Sequence, residues 1–408
     1  MEFLSKRITG MEDPTGETAS IIKELEGKNI TVTNFIMGDP SKYFRIQKNI
    51  KDAYNKAVNS GKTFYLPGPG LPQLRDEVSN RYLKLYDIDF DKDKVIITQG
   101  VVEALQFLNH SLIYKNDSAL LLAPFFTQYL PCVTQQEGRP LISNLNEFNK
   151  WEIDIDDMER LFKISKSKPK YLLITTPNNP TGSILSEKSI RKIVEFGKNH
   201  DIFLVSDEIY DEIIYNGAKF ISLGKVAKGV PHMILNGASK NYMATGFRIG
   251  FSIIPEEDKK SKKLRDSFIK LSYSRLSANT PSQYAILEGL KNKKAHNKFI
   301  KEILPKIQTR SNLITNLVNK TEYLATIKPV GAFYVFAKID FTKLNIKNDK
   351  EFVEKLLKEE HIQITKGSSF GLPGYVRIIS LPEEKIIHTA IKNIEHFCNR
   401  HKITTKKI

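Results

Sequence analysis

Only two cysteines occur in the 408 residues, Cys132 and Cys398, far apart and with no Cys-x-x-Cys spacing or Cys/His cluster. This excludes a disulfide framework and a Cys/His structural zinc site, and it implies a reduced chain with no metal. No window approaches the roughly 18 uninterrupted apolar residues of a membrane-crossing helix, so no membrane partner is expected. Met1 to Gly10 lacks the apolar core and cleavage pattern of a secretory leader, and the expected location is the cytoplasm. Acidic residues are few beside basic ones: 46 against 62 leaves a formal charge of +16. Such an excess raises the question of a nucleic-acid partner. The lysines are spread along expected helix faces, among them Lys259 to Lys270 and Lys291 to Lys301, as on solvated surfaces. No nucleic-acid partner is therefore expected, although the basic field would favour anionic small molecules.

Apolar and charged fractions of 40% and 26% are those of an ordinary globular chain. Its length exceeds the size at which a single core stops growing, which points to two domains. Short apolar runs alternate with helix-like segments through the middle of the chain. Val95 to Thr98 precedes a helical pattern from Val101 to Ile113, and Ala119 to Ala123 follows. Tyr171 to Ile174 leads through a Pro/Asn loop to a helix from Ser186 to Asn199; Ile202 to Val205 and His232 to Leu235 come next. The alternation predicts an α/β fold with a mostly parallel sheet covered on both faces. Asn179, Asp207 and Lys240 each lie just beyond a separate apolar run. In open α/β sheets the carboxyl ends of the strands are where ligands bind, so the three are expected in one cleft. From about Pro281 the pattern changes to long helices with strands expected at Ala332 to Ala337 and Tyr375 to Ile379, a smaller α+β domain. The expected division is an arm at 1–45 joined to the small domain, a large domain at 46–285 and the small domain at 286–408.

The segment Ser239–Lys240–Asn241–Tyr242–Met243–Ala244–Thr245–Gly246–Phe247–Arg248–Ile249–Gly250 carries the most information. With Asn179–Pro180–Thr181–Gly182 and Ser206–Asp207–Glu208–Ile209–Tyr210 ahead of it, the chain resembles the class I/II aminotransferases of the aspartate aminotransferase fold, from Gly38–Asp39–Pro40 to Arg377. Within them it is most similar to the alanine aminotransferase group, in Thr176 to Gly182, Asn236 to Lys240, Arg275 to Pro281 and Lys328 to Tyr334.

The resemblance implies pyridoxal 5′-phosphate held as a Schiff base on Lys240, since only lysine supplies a primary amine. Lys240 is then also the proton carrier at the substrate Cα. A carboxylate must keep the cofactor's ring nitrogen protonated, and Asp207 is its candidate; read from local sequence alone, Asp207 also suits a helix N-cap. Tyr210 and Asn179 would bond the ring's phenolate oxygen, and Phe126 would stack on the ring. For the phosphate, Gly100, Val101 and Val102 stand where a strand turns into a helix, offering backbone N–H groups and the helix dipole. Arg248 resembles the family's phosphate-binding arginine. Many relatives place a serine three residues before the lysine; here that position is Gly237, and Ser239 is the nearest hydroxyl. Tyr65 resembles the tyrosine that reaches the phosphate of the neighbouring subunit, implying a homodimer with shared sites. Arg377, a charge in an apolar strand, would fork onto the substrate α-carboxylate, assisted by Gly38 and Asn179.

The implied substrates are an amino acid and a 2-oxo acid, with glutamate–pyruvate exchange as the leading reading and aspartate or a broad or aromatic amino donor beside it. Arg275 stands near the place where dicarboxylate-specific relatives present an arginine from the other subunit; an exposed helix-end charge is its other reading. The alanine group's N-terminal-arm arginine is absent, the matching stretch being Pro14–Thr15–Gly16–Glu17. A β- or γ-elimination lyase shares the lysine chemistry and stays open. A DNA-binding regulator on this scaffold would need an added module, for which residues 1–45 are too short.

Overall fold

A computed structural model describes Arg7, residues 16–256 and residues 258–403. Pro14 and Thr15 of the arm lie outside them. The strands, in chain order, are β1 (Thr33–Asn34), β2 (Val95–Thr98), β3 (Ser118–Ala123), β4 (Arg139–Asn144), β5 (Pro169–Thr175), β6 (Phe203–Asp207), β7 (His232–Gly237), β8 (Gly250–Ile253), β9 (Leu324–Thr326), β10 (Tyr334–Ile339), β11 (Ile362–Gln363), β12 (Thr365–Lys366) and β13 (Tyr375–Ile379).

Seven of them form the central sheet in the order β2-β8-β7-β6-β5-β3-β4. Strands β4, β3, β5, β6 and β7 pair in parallel, and β8 runs antiparallel to both β7 and β2. Both faces are covered, as the strand composition requires. Ala119, Leu121 and Ala123 of β3 pack into one core with the helices Gly100–Leu112 and Lys259–Ser274; Leu120 and Leu122 pack into another with the helix Glu187–His200.

The remaining sheet, β12-β13-β10-β9, is antiparallel, and the short β1 pairs in parallel with β11. Strands β9, β10, β11 and β13 share a core with the long helix Lys293–Val318 and with Glu384–Arg400. The strand expected at 332–337 begins two residues later, because Ala332 takes a positive φ of 52° and completes a turn instead. The helix Thr280–Lys291 runs unbroken through residue 285 and packs on Lys48–Asn59 and Pro72–Tyr86.

Candidate active site

The loops beyond β2, β3, β5, β6 and β7 open into one cavity of about 460 Å³. Asp207, the last residue of β6, is buried at its floor. Its Oδ2 accepts from the Tyr129 hydroxyl at 2.7 Å and its Oδ1 from the Ile209 amide at 3.1 Å. Burial pushes its carboxyl up to about 6, against these hydrogen bonds and the attraction of Lys240. Lys240 follows β7 and extends its amine to the Gly38 carbonyl, 2.6 Å away. Burial, with Arg377 and Arg248 nearby, brings its ammonium down to about 8, although Asp39 and Asp207 hold it up. Tyr210 is buried with its hydroxyl 2.7 Å from that of Tyr334, and Phe126 stands edge-on to Tyr129 at 5.6 Å.

Two arginines face the cavity with no carboxylate partner among the described residues. Arg248 lies over the start of the helix Gly100–Leu112, donating only to the carbonyls of Thr245 (3.1 Å) and Gln99 (3.3 Å). Gly100 has φ +74°, and a Cβ there would meet the Arg248 guanidinium at 2.5 Å, so the approach demands glycine. The amides of the first turn and the guanidinium together make an anion cradle. Arg377, buried in β13, is sandwiched between the rings of Tyr334 and Phe370, at 4.7 and 4.8 Å. It donates to Asn179 Oδ1 at 3.0 Å and to the Ile36 carbonyl, while its Nε is left without an acceptor. A buried guanidinium so placed is ready for a carboxylate. Gly38 lets the chain pass beside Tyr334, whose hydroxyl a Cβ would strike.

The profile of the aminotransferase class I and II family matches residues 32–394. The chain belongs to that family. A probable aspartate/prephenate aminotransferase of Aquifex aeolicus is 30% identical over 94% of this chain and 96% of its own. An aromatic-amino-acid aminotransferase of Thermococcus litoralis is 31% identical over 90% and 92%. A solved alanine aminotransferase from Pyrococcus furiosus superposes with a TM-score of 0.92 at 34% identity, covering 98% of this chain and all of the other. The enzyme is thus a pyridoxal-phosphate-dependent aminotransferase.

The residues present fit that cofactor. Lys240 offers an amine whose proton is loosened, Asp207 a buried carboxylate, and Arg248 with the helix start an anion cradle. The cavity also brings in Gly38, Val101, Val102, Phe126, Asn179, Tyr210, Ser239 and Arg377. Gly237 could not carry the serine of many relatives unaided, since a Cβ would lie 2.7 Å from the Ile249 carbonyl.

Two sequence-selected residues lie elsewhere. Tyr65 is 76% exposed and does not line this chain's cavity. Arg275 corrects one of its readings: it is not an exposed helix-end charge, and it does not line its own chain's cavity. Its guanidinium is largely buried, paired with Glu103 at 3.1 Å and donating to the Ile97 carbonyl at 2.8 Å.

Sequence reasoning missed Tyr129, Tyr334, Phe370 and Asp39. The first three are buried aromatics in apolar surroundings and read as core. Asp39, a surface-type residue in a Gly–Asp–Pro turn, accepts from Thr245 Oγ1 and Ser41 Oγ, each at 2.6 Å, on the cavity wall.

Proposed function

We propose that the enzyme exchanges the amino group between glutamate and pyruvate, alanine being the amino acid its own cavity suits best. The carrying observation is the commitment of Arg275 to Glu103, which removes the cation nearest in sequence to the family's distal-carboxylate site. Besides Lys240, the described cations lining the cavity are Arg248 and Arg377, while Ile36, Met37 and Phe370 form apolar wall. A methyl side chain meets that wall at no desolvation cost, whereas a distal carboxylate finds no further cation among this chain's described lining residues. The likeness to the Pyrococcus furiosus alanine aminotransferase supports the same choice, and glutamate enters as the common amino donor of such reactions.

In this reading Lys240 carries the cofactor, and Arg248 with the amides of Gly100, Val101 and Val102 holds its phosphate, Ser239 standing beside them. Asp207, its carboxylate oriented by Tyr129, would keep a proton on the ring nitrogen. Tyr210 and Asn179 would bond the phenolate oxygen, and Phe126 would cover the ring. When bound, pyridoxal phosphate takes up the electron pair left when the substrate's Cα–H bond breaks. Arg377 fixes the substrate α-carboxylate, with Asn179 and the backbone at Gly38 beside it. Lys240, with its amine free beside the substrate, would take the proton from the substrate Cα and later give it up to complete the exchange. In the cofactor-free cavity its ammonium is brought down to about 8, so the amine that would take up the cofactor is partly neutral near pH 7.

The exposed Tyr65, with Phe64, Tyr273 and Leu276 also exposed, supports a homodimer in which Tyr65 serves the neighbouring site. Because helix Thr280–Lys291 packs on the segments beside the central sheet, we draw the domain boundary just before Lys293 instead of at 285/286. The arm follows the smaller domain through the β1–β11 pairing.

A half-reaction screen tests the substrate. Loaded enzyme is mixed with single amino acids and the cofactor absorbance followed to its amine form. Alanine is expected to give the highest kcat/KM, with glutamate next and a higher KM. Aspartate or phenylalanine surpassing alanine tenfold would overturn the reading, and keto-acid release without an acceptor would indicate a lyase.

A further inference from the structure

The residues that follow Tyr210 and Lys240 meet behind the cavity, and none of them lines it. Asn241 donates its side-chain N–H to Asp211 Oδ1 at 2.5 Å, both groups being buried. Asp211 Oδ2 accepts from Arg81 at 2.8 Å and from the Tyr86 hydroxyl at 2.6 Å. Arg81 also reaches Glu212 Oε2 at 2.7 Å, and the other oxygen of Glu212 lies 3.0 Å from His296 Nε2. The His296 ring stacks on Tyr242, with centroids 4.3 Å apart and planes 22° from parallel. Two consecutive triplets, Tyr210–Asp211–Glu212 and Lys240–Asn241–Tyr242, are therefore joined at their second and third members. The first members are the pair that must stay in register at the cofactor.

We propose that Asn241, through its bond to Asp211, is a positioning residue that fixes the Lys240 amine relative to Tyr210. The contact is direct, short and shielded from water. Arg81 and Tyr86 keep the Asp211 carboxylate in place as its acceptor. Loss of the bond frees the backbone between Ser239 and Tyr242 to shift, and small displacements of a reacting group are costly in rate. The substrate's own binding groups, Arg377 above all, lie on other elements and are unaffected.

This inference rests on the assignment of Lys240 and Tyr210 above, so Lys240→Ala is the control for that assignment: if it still turns over repeatedly, the assignment itself fails. The test of the positioning role is Asn241→Ala in the full-length, cofactor-loaded enzyme. Expected is a loss of kcat of tenfold or more per loaded site, with KM for alanine changed less than twofold. The pH midpoint of the lysine-bound cofactor's visible absorbance should move by half a unit or more. In the cofactor-stripped chain, acetylation of Lys240 by acetic anhydride, read by peptide mass spectrometry, should show a shifted pH dependence as well. Asn241→Ser, which keeps a short donor, should recover part of kcat and of both shifts. The proposal is overturned if Asn241→Ala lowers only the thermal midpoint while kcat and both pH profiles match the parent. If the variant does not fold, Asn241→Ser alone decides: parental kcat and pH profiles in it, despite the longer reach to Asp211, refute the role, and intermediate values uphold it.

Discussion

An amine is reactive only when neutral, and the surroundings of Lys240 set how often that is. Its ammonium is brought from the usual 10.5 down to about 8, chiefly by burial and further by Arg377 and Arg248. At pH 7 the neutral fraction is then ~10%, where an ordinary lysine would have ~0.03%, a gain on the order of 300-fold. Asp39 opposes this shift from the cavity wall. Its carboxylate is itself held below the usual range by Ser41 and Thr245, burial notwithstanding, so it stays charged throughout the relevant pH range. Asp39→Asn removes the opposing charge and keeps an oxygen for the two hydroxyls. A partly exposed ion pair contributes about 1 kcal/mol or less, and one pKa unit corresponds to about 1.36 kcal/mol. The Lys240 ammonium in the variant should therefore fall by up to about 0.7 of a unit. The assay is the second-order rate of pyridoxal phosphate uptake by cofactor-stripped enzyme, followed by absorbance between pH 6 and pH 10. The parent rate should rise tenfold per pH unit below a break near 8, and the break should lie lower in Asp39→Asn. A parent break at 10 or above, or a break that moves upward in the variant, refutes the reasoning.

Asp207→Asn should nearly abolish turnover, by a thousandfold or so, yet stabilise the cofactor-free chain at pH 7. Since the folded carboxyl titrates near 6 against 3.8 for an ordinary aspartate, the folded state binds more protons between those values and stability falls as pH rises through that window. The penalty, up to ~3 kcal/mol above pH 6, is relieved in Asn less about 1 kcal/mol for the Ile209 hydrogen bond; a lowered thermal midpoint at pH 7, with no loss at pH 4, would contradict this. Arg377→Lys gives up the fork and the stacking on Tyr334 and Phe370, and KM for alanine should rise about 10- to 100-fold with kcat changed far less; steady-state kinetics decide, and an unchanged KM counts against the carboxylate role. Mixed dimers of Tyr65→Ala with Lys240→Ala should contain one intact site and regain activity, whereas Arg248→Ala with Lys240→Ala should not, because Arg248 bonds its own chain's Gln99 carbonyl; activity in the second mixture alone would reverse the subunit assignment.

Much of the central sheet was legible because its inner strands are buried on both faces and so read as unbroken apolar runs, with Asn179, Asp207 and Lys240 at or beyond the ends of β5, β6 and β7 in the cavity. Asp207 closes one such run, and in the smaller sheet Arg377 stood out as a charge inside an apolar strand. Strand β8 was not recognised, because its four residues follow directly on the Arg248 loop and offer no run of their own. Strand β4 at the sheet edge is only partly buried and contains Pro140, so the strand signal is diluted there. Buried polar geometry was the harder part. Tyr129 and Tyr334 acquire their roles only from the oxygen each hydroxyl meets, and the partner of Arg275, Glu103, stands 172 positions earlier in the chain. Local sequence holds no record of such a pairing.

The arginines around the site divide by what balances them. Arg81 has two carboxylates and Arg275 has one, and both lie outside the main cavity. Arg248 and Arg377 have only neutral oxygens and rings, and both line it. For Arg377 this is expensive, since burial lowers even a guanidinium's hold on its proton. Stacking between Tyr334 and Phe370 offsets part of the cost without supplying negative charge. The remainder stays available to any carboxylate that enters between Asn179 and Gly38. A carboxylate built into the protein beside Arg377 would stabilise the empty cleft and weaken substrate binding by a similar amount. In the proposed reading the cleft keeps its charge imbalance in the cofactor-free fold as affinity for an α-carboxylate, while the paired arginines hold the loops in place.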